Sequence, residues 1–336
     1  MLFRILYTIN SENKVRVLFI GFQDLVHPWY DDFLTAIDGR FPVELYDTSR
    51  PFADQLKDVQ VVVDQGGWGT HPMADAAAAA KVKLWQVIGT GLDHIDIKYF
   101  NDHGLPVCYS PGFLSGIGLA EQALMFMLCL VKKWSVMQQN VHSGVWYHPM
   151  TDELHGKNLG LVGFGGSARE LAVRAWAMGM NISAIDVVDV PSSVLAEHHV
   201  SFLGGVKDLP KLLTTSDFLS LHVPLTPQTT HMINRAAFEQ MKRSAFLINV
   251  ARGELVEENA LLDALRTGQI SGAGLDTFSH EPIKPDNPLL NLPNVITSPH
   301  IAGGTRGTSR RRGQAAAENV VRIAAGQEPL YPAPPK

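Results

Sequence analysis

From residue 16 to residue 299 the chain alternates short apolar runs with longer segments whose apolar positions recur at helical spacing. That order belongs to parallel sheets joined by helical crossovers, so an α/β fold is expected. In the first third, strands are expected at RVLFIG (16–21), VELY (43–46), VQVVVD (59–64), LWQVIG (84–89) and LPVCY (105–109). HPMADAAAAAK is a helix former that closes at Lys81. A second series of strands is expected at NLGLVGFG (158–165), NISAID (181–186), SDFLSLHVP (216–224), SAFLINV (244–250), SGAGLD (271–276) and NVITSP (294–299). Two sheets of similar style are implied. The long apolar segment 118–134 reads as a helix linking two domains, and 313–326 as a final helix before the Pro-rich tail PLYPAPPK.

Length and composition sharpen this picture. A chain of 336 residues that is 46% hydrophobic can bury a substantial core, and two domains suit its length. Lys and Arg number 28 against 33 Asp and Glu, for a formal charge of -5, and there is no basic stripe interleaved with aromatics. Nucleic acid is therefore not an expected partner. Arg310, Arg311 and Arg312 form the densest basic cluster, and three successive arginines on a helix are expected to spread into a solvated face. Cys108 and Cys129 offer neither a disulfide framework nor a zinc site, which fits a reducing compartment. The first residues, MLFRILYTINSENKVRV, are too briefly apolar for a membrane span or a signal peptide, so cytoplasmic residence without membrane attachment is expected.

The stretch LGLVGFGGSARELAVRAWAMG (159–179) carries the first chemical signal. In a dinucleotide turn the first glycine allows the bend and the second lets backbone amides approach a pyrophosphate. The third permits close packing of helix on strand and tolerates alanine. Gly163 and Gly165 meet the strict requirements and Ala168 the relaxed one. Ala168, Leu171, Ala172, Ala175 and Trp176 then fall at helical spacing, with Gly179 at the C-cap position. Asp186 ends the next strand at the distance from which a carboxylate accepts the adenosine ribose hydroxyls. It would repel a 2′-phosphate, and no arginine follows it, so NAD is expected over NADP. The helix start at Gly166 and Ser167 offers amides to the pyrophosphate.

Three later motifs each follow an expected strand: NVARGELV (249–256), GLDTFSHEP (274–282) and TSPHIAGGT (297–305). They place Arg252, Glu281 and His300 just past C-terminal strand edges, where ligands bind in open α/β sheets. Together with GTGLDHID, GLAEQAL and HVPLTPQT in the same order, these motifs strongly resemble the D-isomer specific 2-hydroxyacid dehydrogenase family, over about residues 83–326.

The resemblance implies two Rossmann-like or flavodoxin-like doubly wound domains separated by a cleft, usually in a homodimer. Residues 1–120 with 304–336 would bind substrate and residues 121–303 would bind NAD. Position by position, Arg252 resembles the arginine that anchors the substrate carboxylate and carbonyl, His300 the acid/base, and Glu281 its acidic partner. Thr90 and Gly91 resemble the segment that supplies amides to the substrate carboxylate. Asp276, with the turn at Val250 and Ala251, resembles the contacts to the nicotinamide carboxamide. His222, Val223, Pro224 and Thr229 resemble the wall around adenosine and pyrophosphate, and Gly303 joins the cofactor-binding set.

Two departures stand out. Gly166 and Ser167 replace a large basic residue and an apolar one, and Ser279 and His280 stand where an acidic residue is common.

The chemistry asks for the same residue types. Hydride delivered to the carbonyl carbon of a 2-oxo acid builds charge on oxygen unless a proton is supplied, and a histidine can supply it. A carboxylate beside the imidazole steadies its protonated form and fixes the ring. A planar guanidinium holds a carboxylate through two parallel hydrogen bonds, which lysine cannot copy. The expected activity is NAD-dependent interconversion of a D-2-hydroxy acid and its 2-oxo acid, such as glyoxylate or hydroxypyruvate. The resemblance leaves open formate, phosphite or 3-phosphoglycerate as the small anion, and an NAD(H)-sensing protein that binds a partner with little catalysis. Among the other histidines, His280 competes with Glu281 but side-chain alternation points it elsewhere. His94 reads as a structural or mouth residue, and His198 and His199 as exposed with no metal. Trp68, among Gly66, Gly67 and Gly69, reads as a packing residue or part of the substrate pocket.

Overall fold

Two all-parallel sheets organise the computed structural model, which describes residues 15–22 and 25–334. The first runs through β1 (Arg16–Ile20), β2 (Val43–Leu45), β3 (Val59–Asp64), β4 (Leu84–Val87) and β5 (Val107–Cys108), in the order β2-β1-β3-β4-β5. The second comprises β6 (Asn158–Val162), β7 (Asn181–Ile185), β8 (Val200–Gly204), β9 (Phe218–Leu221), β10 (Phe246–Asn249), β11 (Gly272–Leu275) and β12 (Val295–Thr297). Its order is β12-β11-β10-β9-β6-β7-β8. The first is the flavodoxin-like order, and the second is the Rossmann order with one strand added at the far edge. Both are doubly wound, and their central strands are buried on both faces, as parallel sheets require. Trp85 and Phe19 anchor the first core, and Phe164, Phe218 and Phe238 the second.

The chain divides into two compact units, residues 115–305 and the remainder on either side. In the unit of the second sheet, the helix Gly116–Val131 lies against the helix Gly166–Ala177. Their approach is so close that a Cβ on Gly116 would stand 3.0 Å from the Gly166 carbonyl oxygen. In the unit of the first sheet, the helix Arg306–Ala324 returns to pack on the helix Trp29–Ile37.

All eleven expected strands form; β3 keeps the expected bounds and the other ten are shorter, because the flanking residues turn away into loops. β8 was not expected: none of its residues is fully buried, so it has no apolar run to betray it. The apolar segment 118–134 is interrupted. Its helix stops at Val131, Lys133 takes a left-handed φ of 51°, and a second helix, Trp134–His142, begins there. The final helix starts at Arg306, earlier than the apolar pattern suggested. The N-terminal stretch before residue 15 and the last two residues of the tail lie outside the described residues. Among the described residues no helix is long and apolar enough to cross a membrane, and Cys108 and Cys129 are both free.

Candidate active site

Gly163 begins the turn after β6 with a φ of +91°, and a Cβ there would lie 2.8 Å from the His222 carbonyl oxygen. Both constraints select glycine. Gly165 caps the helix Gly166–Ala177 without any side-chain bond to its amides, and a Cβ on Gly165 would meet nothing within 4 Å. The helix therefore presents its N-terminus and a bare backbone to open space, the arrangement a pyrophosphate needs. Ala168 is fully buried in the helix packing, as the third position of the turn requires. Trp176 is instead exposed and stacks on His199 at 3.5 Å.

Asp186 follows β7. Its Oδ2 accepts from the Phe164 amide at 2.5 Å and its Oδ1 from the Val188 amide at 3.0 Å. A carboxylate oxygen has two lone pairs, so each retains capacity for a ribose hydroxyl. These residues fit NAD: a bare helix N-terminus, an oriented carboxylate beside it, and no basic side chain in the turn after β7.

Ser167, in place of an apolar residue, has a structural partner. Its Oγ lies 2.9 Å from His222 Nδ1, and His222 Nε2 lies 2.9 Å from Ser220 Oγ. Burial pushes the His222 imidazole down to about 3, so it stays neutral between two hydroxyls. Val223 and Pro224 continue from there, and Thr229 Oγ1 donates to the Pro224 carbonyl at 2.8 Å, closing the turn 224–229. Val250 is buried after β10, and Ala251 donates its amide to Asn249 Oδ1 at 3.1 Å.

The candidate reactive residues come from three successive strand ends. Asn249 Nδ2 donates to the Arg252 carbonyl at 2.8 Å, fixing the backbone that bears the guanidinium, whose Nη1 donates to the Ala251 carbonyl at 2.9 Å. Gly253 runs directly against the Phe278 backbone, where any Cβ would collide at 1.9 Å, so these two loops are locked together. In the second loop, Glu281 Oε1 accepts from the Phe278 amide at 2.9 Å while Oε2 pairs with His300 Nδ1 at 2.6 Å. Burial alone would push the Glu281 carboxyl up. The His300 hydrogen bond, the Phe278 amide and the charges of His300 and Arg252 outweigh it and hold the carboxyl below its usual range. Glu281 therefore stays ionised at neutral pH. Its contribution to stability is present above the unfolded carboxyl's pKa and is lost as pH falls through the lowered value.

His300 adopts a left-handed φ of 52°, and its amide donates to the Asp276 carbonyl at 2.7 Å. With Nδ1 committed to Glu281, Nε2 is the nitrogen left for proton exchange. The two side chains are 42% and 35% exposed, so a ligand can reach the pair.

Asp276 holds the loop that carries His300. Its Oδ1 accepts from Ser298 Oγ and the Ile301 amide at 2.5 and 2.9 Å, and its Oδ2 accepts from the Ala302 amide at 2.8 Å. Gln122 Nε2 donates to Ser298 Oγ at 2.8 Å. Gly303 follows with only Leu119 nearby, at 3.6 Å from its notional Cβ. The supporting roles of Asn249, Ser298 and Gln122 were not identified in the sequence, and only the position of Asn249 at a strand end hinted at one.

Thr90 and Gly91 lie in the other unit, after β4, and are half-buried. His280 is exposed. His198 is half-buried rather than exposed, because its Nδ1 lies 2.8 Å from the Val194 carbonyl oxygen and its ring meets Phe164 edge-on. His94 stacks on Trp68 with ring centres 5.8 Å apart and contacts Asp93 at 3.2 Å.

The chain is similar to known proteins over most of its length. Residues 124–302 match the model of the D-isomer specific 2-hydroxyacid dehydrogenase NAD-binding domain. Over 312 residues the chain is 36% identical to a glyoxylate reductase of Korarchaeum cryptofilum, covering 88% of this chain and 90% of that protein. It is 34% identical over 305 residues to a D-3-phosphoglycerate dehydrogenase of Methanocaldococcus jannaschii, covering 89% of this chain but only 57% of the longer relative. A solved structure of an NAD-complexed D-isomer specific 2-hydroxyacid dehydrogenase from Lactobacillus delbrueckii ssp. bulgaricus superposes with a TM-score of 0.79 at 26% identity. It covers 95% of this chain and 100% of that one. With the glycine turn, Asp186 and the three strand-end residues in place, the chain belongs to the D-isomer specific 2-hydroxyacid dehydrogenase family and is an NAD-dependent oxidoreductase.

Proposed function

We propose that the protein interconverts a D-2-hydroxy acid and its 2-oxo acid, with His300 as acid/base and glyoxylate, hydroxypyruvate or a related 2-oxo acid as substrate. The reading rests chiefly on one observation: His300 Nδ1 is held at 2.6 Å by a carboxylate that also feels the charge of Arg252. When bound, the nicotinamide supplies the two electrons, as hydride, to the substrate's carbonyl carbon. The residues do the rest. Arg252 fixes the substrate carboxylate and polarises the carbonyl, while Thr90 and Gly91 are assigned to that carboxylate as amide donors. In reduction, protonated His300 gives the Nε2 proton to the carbonyl oxygen; in oxidation, neutral His300 takes the hydroxyl proton. Glu281 steadies the imidazolium between the two. The turn at Ala251 and Asp276 are assigned to the nicotinamide carboxamide, Gly303 to the cofactor, and Asp186 to its ribose.

A panel of 2-oxo acids, formate, phosphite and 3-phosphoglycerate, followed by cofactor absorbance, tests the reading. A small 2-oxo acid is expected to drive NADH oxidation and to yield the D-hydroxy acid, with NADPH much the poorer donor. Turnover of formate or phosphite alone would replace the substrate class. Tight NADH binding without any turnover would favour a cofactor-sensing role, and a preference for NADPH would remove the assignment of Asp186.

Cytoplasmic residence is part of the same proposal, supported by the two free cysteines, and secretion of the native protein would refute it. So is a homodimer. The helix Trp134–His142 buries no residue, and the stretch after it exposes Trp146, Tyr147 and Met150 at 72%, 94% and 86%. A sedimentation mass of one chain would remove the dimer.

A further inference from the structure

The glycine turn has no large basic side chain at Gly166, yet a guanidinium reaches the turn from further along its helix. Arg169 ends the first turn of the helix Gly166–Ala177. Its Nε donates to the Phe164 carbonyl at 3.0 Å, and its Cζ lies 5.4 Å from the centre of the Phe164 ring. The residue is half-buried, and among the described residues its guanidinium makes no ion pair. Glu170, next to it in the chain, is engaged by Arg174, whose Nη1 donates to it at 2.5 Å. A cation aligned by a carbonyl and an aromatic face, with no carboxylate to neutralise it, is set to receive an anion.

The helix presents two different sides. Glu170 and Arg174 turn toward the helix Gly116–Val131, where a Cβ on Gly116 would lie 3.3 Å from Glu170 Cγ and Arg174 approaches Glu121 at 4.0 Å. Arg169 turns the other way, over Phe164, whose ring meets His198 edge-on with ring centres 5.9 Å apart. His198 closes the helix Ser192–Glu197, which joins β7 to β8. Arg169 therefore belongs to the side of the turn where Asp186 stands and the adenosine ribose is assigned.

Phe164 ties the cation to that carboxylate. Its amide donates to Asp186 Oδ2 at 2.5 Å, and its carbonyl accepts from Arg169 Nε at 3.0 Å. The amide nitrogen and carbonyl oxygen of one residue are at most about 3.6 Å apart, so Arg169 Nε stands within roughly 9 Å of Asp186 Oδ2. A phosphate ester on a ribose hydroxyl bonded to Asp186 carries its terminal oxygens about 5 Å from the carboxylate, and the guanidinium extends about 2 Å past Nε. One phosphate therefore reaches from the carboxylate to the guanidinium. The pyrophosphate is served elsewhere, by the bare helix N-terminus beyond Gly165. The charges set against a phosphate on the ribose are Asp186, which would touch it, and Asp189, which is exposed and screened by water.

We infer that Arg169 is a ligand for a phosphate on the 2′-hydroxyl of the adenosine ribose, held ready beside the carboxylate that excludes one, so that the charge of Asp186 keeps the enzyme on NAD. The inference rests on the assignment of Asp186 to the ribose. It makes cofactor choice a balance between two side chains on either side of Phe164, one repelling the phosphate and one attracting it.

The test reads nucleotide binding and needs no turnover. The Kd values of 2′,5′-ADP and 5′-AMP, which differ only in the 2′-phosphate, are measured by calorimetry in the native protein, Arg169→Met, Asp186→Asn and the double variant. Asp186→Asn is expected to tighten 2′,5′-ADP about 10-fold or more, and Arg169→Met to weaken it about 10-fold or more in both backgrounds, the scale of a charge-assisted hydrogen bond. The affinity for 5′-AMP is expected to change less than about 3-fold on Arg169→Met, which also shows that the turn is intact. Arg169→Lys keeps the charge without the planar fork and should fall between native and Met. In turnover, Asp186→Asn should raise the ratio of NADPH to NADH in kcat/KM, and Arg169→Met should cancel that rise.

An Arg169→Met protein that binds 2′,5′-ADP as well as its parent in both backgrounds would overturn the inference. So would equal weakening of 2′,5′-ADP and 5′-AMP, which would leave Arg169 as a brace for the glycine turn or a ligand of the pyrophosphate. An Asp186→Asn protein that gains nothing for 2′,5′-ADP would instead remove the assignment of Asp186 to the ribose, while Arg169→Met in the native background still decides what Arg169 binds.

Discussion

Replacing His300 by Gln is expected to lower turnover by about 100-fold or more while the affinity for NADH changes little, because a positioned acid/base supplies acceleration of this scale. Glutamine can keep a hydrogen bond to Glu281 Oε2 but cannot deliver a proton. The residues assigned to NADH affinity sit at the Gly163 turn and at Asp186, on other strand ends. Steady-state assay and fluorescence titration of NADH separate the two effects. A variant with near-normal turnover would take the acid/base role away from His300. A variant that lost NADH affinity in proportion would indicate that the imidazole serves the cofactor rather than the proton.

Asp276→Ala is expected to show the largest loss of stability. The fully buried carboxylate accepts from the Ile301 and Ala302 amides and from Ser298, and alanine strands these donors in the interior. At about 1–3 kcal/mol for each stranded buried group, the loss should be roughly 3–5 kcal/mol. For a unit of this size that corresponds to a fall in Tm of about 10 °C. Asp276→Asn keeps one acceptor oxygen and should lose less than half as much. Thermal unfolding followed by circular dichroism is the check, and an alanine variant that melts within about 2 °C of the native protein would show that the loop 298–302 does not depend on this carboxylate. Since the Asp276 carboxylate holds Ser298 and the Ile301 and Ala302 amides on either side of His300, Asp276→Ala is also expected to reduce turnover.

The sequence was most legible where a single physical requirement governed a position. The glycine turn could be read because Gly163 needs both a positive φ and room beside His222, and alanine suffices at Ala168 because only packing is at stake there. Arg252, Glu281 and His300 could be read because a parallel sheet delivers its strand ends to one edge, so residues 29 and 19 apart in the chain meet in space. What escaped was decided by tertiary neighbours. β8 sits at a sheet edge with no fully buried residue, so its apolar signal is diluted. The helix break at Lys133 has no proline or glycine to announce it. The part Asp276 plays in organising the loop that bears His300, through both carboxylate oxygens, depends on partners 22 to 26 residues away in the chain. Arg312 looked like one of a solvated trio, because the Thr90 hydroxyl that fixes it lies 222 residues away in the chain.

A structure of the protein with NADH and oxamate, an unreactive 2-oxo acid mimic, tests most directly whether His300 is the proton donor. The predicted result places His300 Nε2 within about 3.2 Å of the oxamate carbonyl oxygen, with Glu281 still on Nδ1 and the Arg252 guanidinium on the carboxylate. Oxamate bound beside the nicotinamide with His300 turned away from it, or with Glu281 parted from the ring, would contradict the proposal.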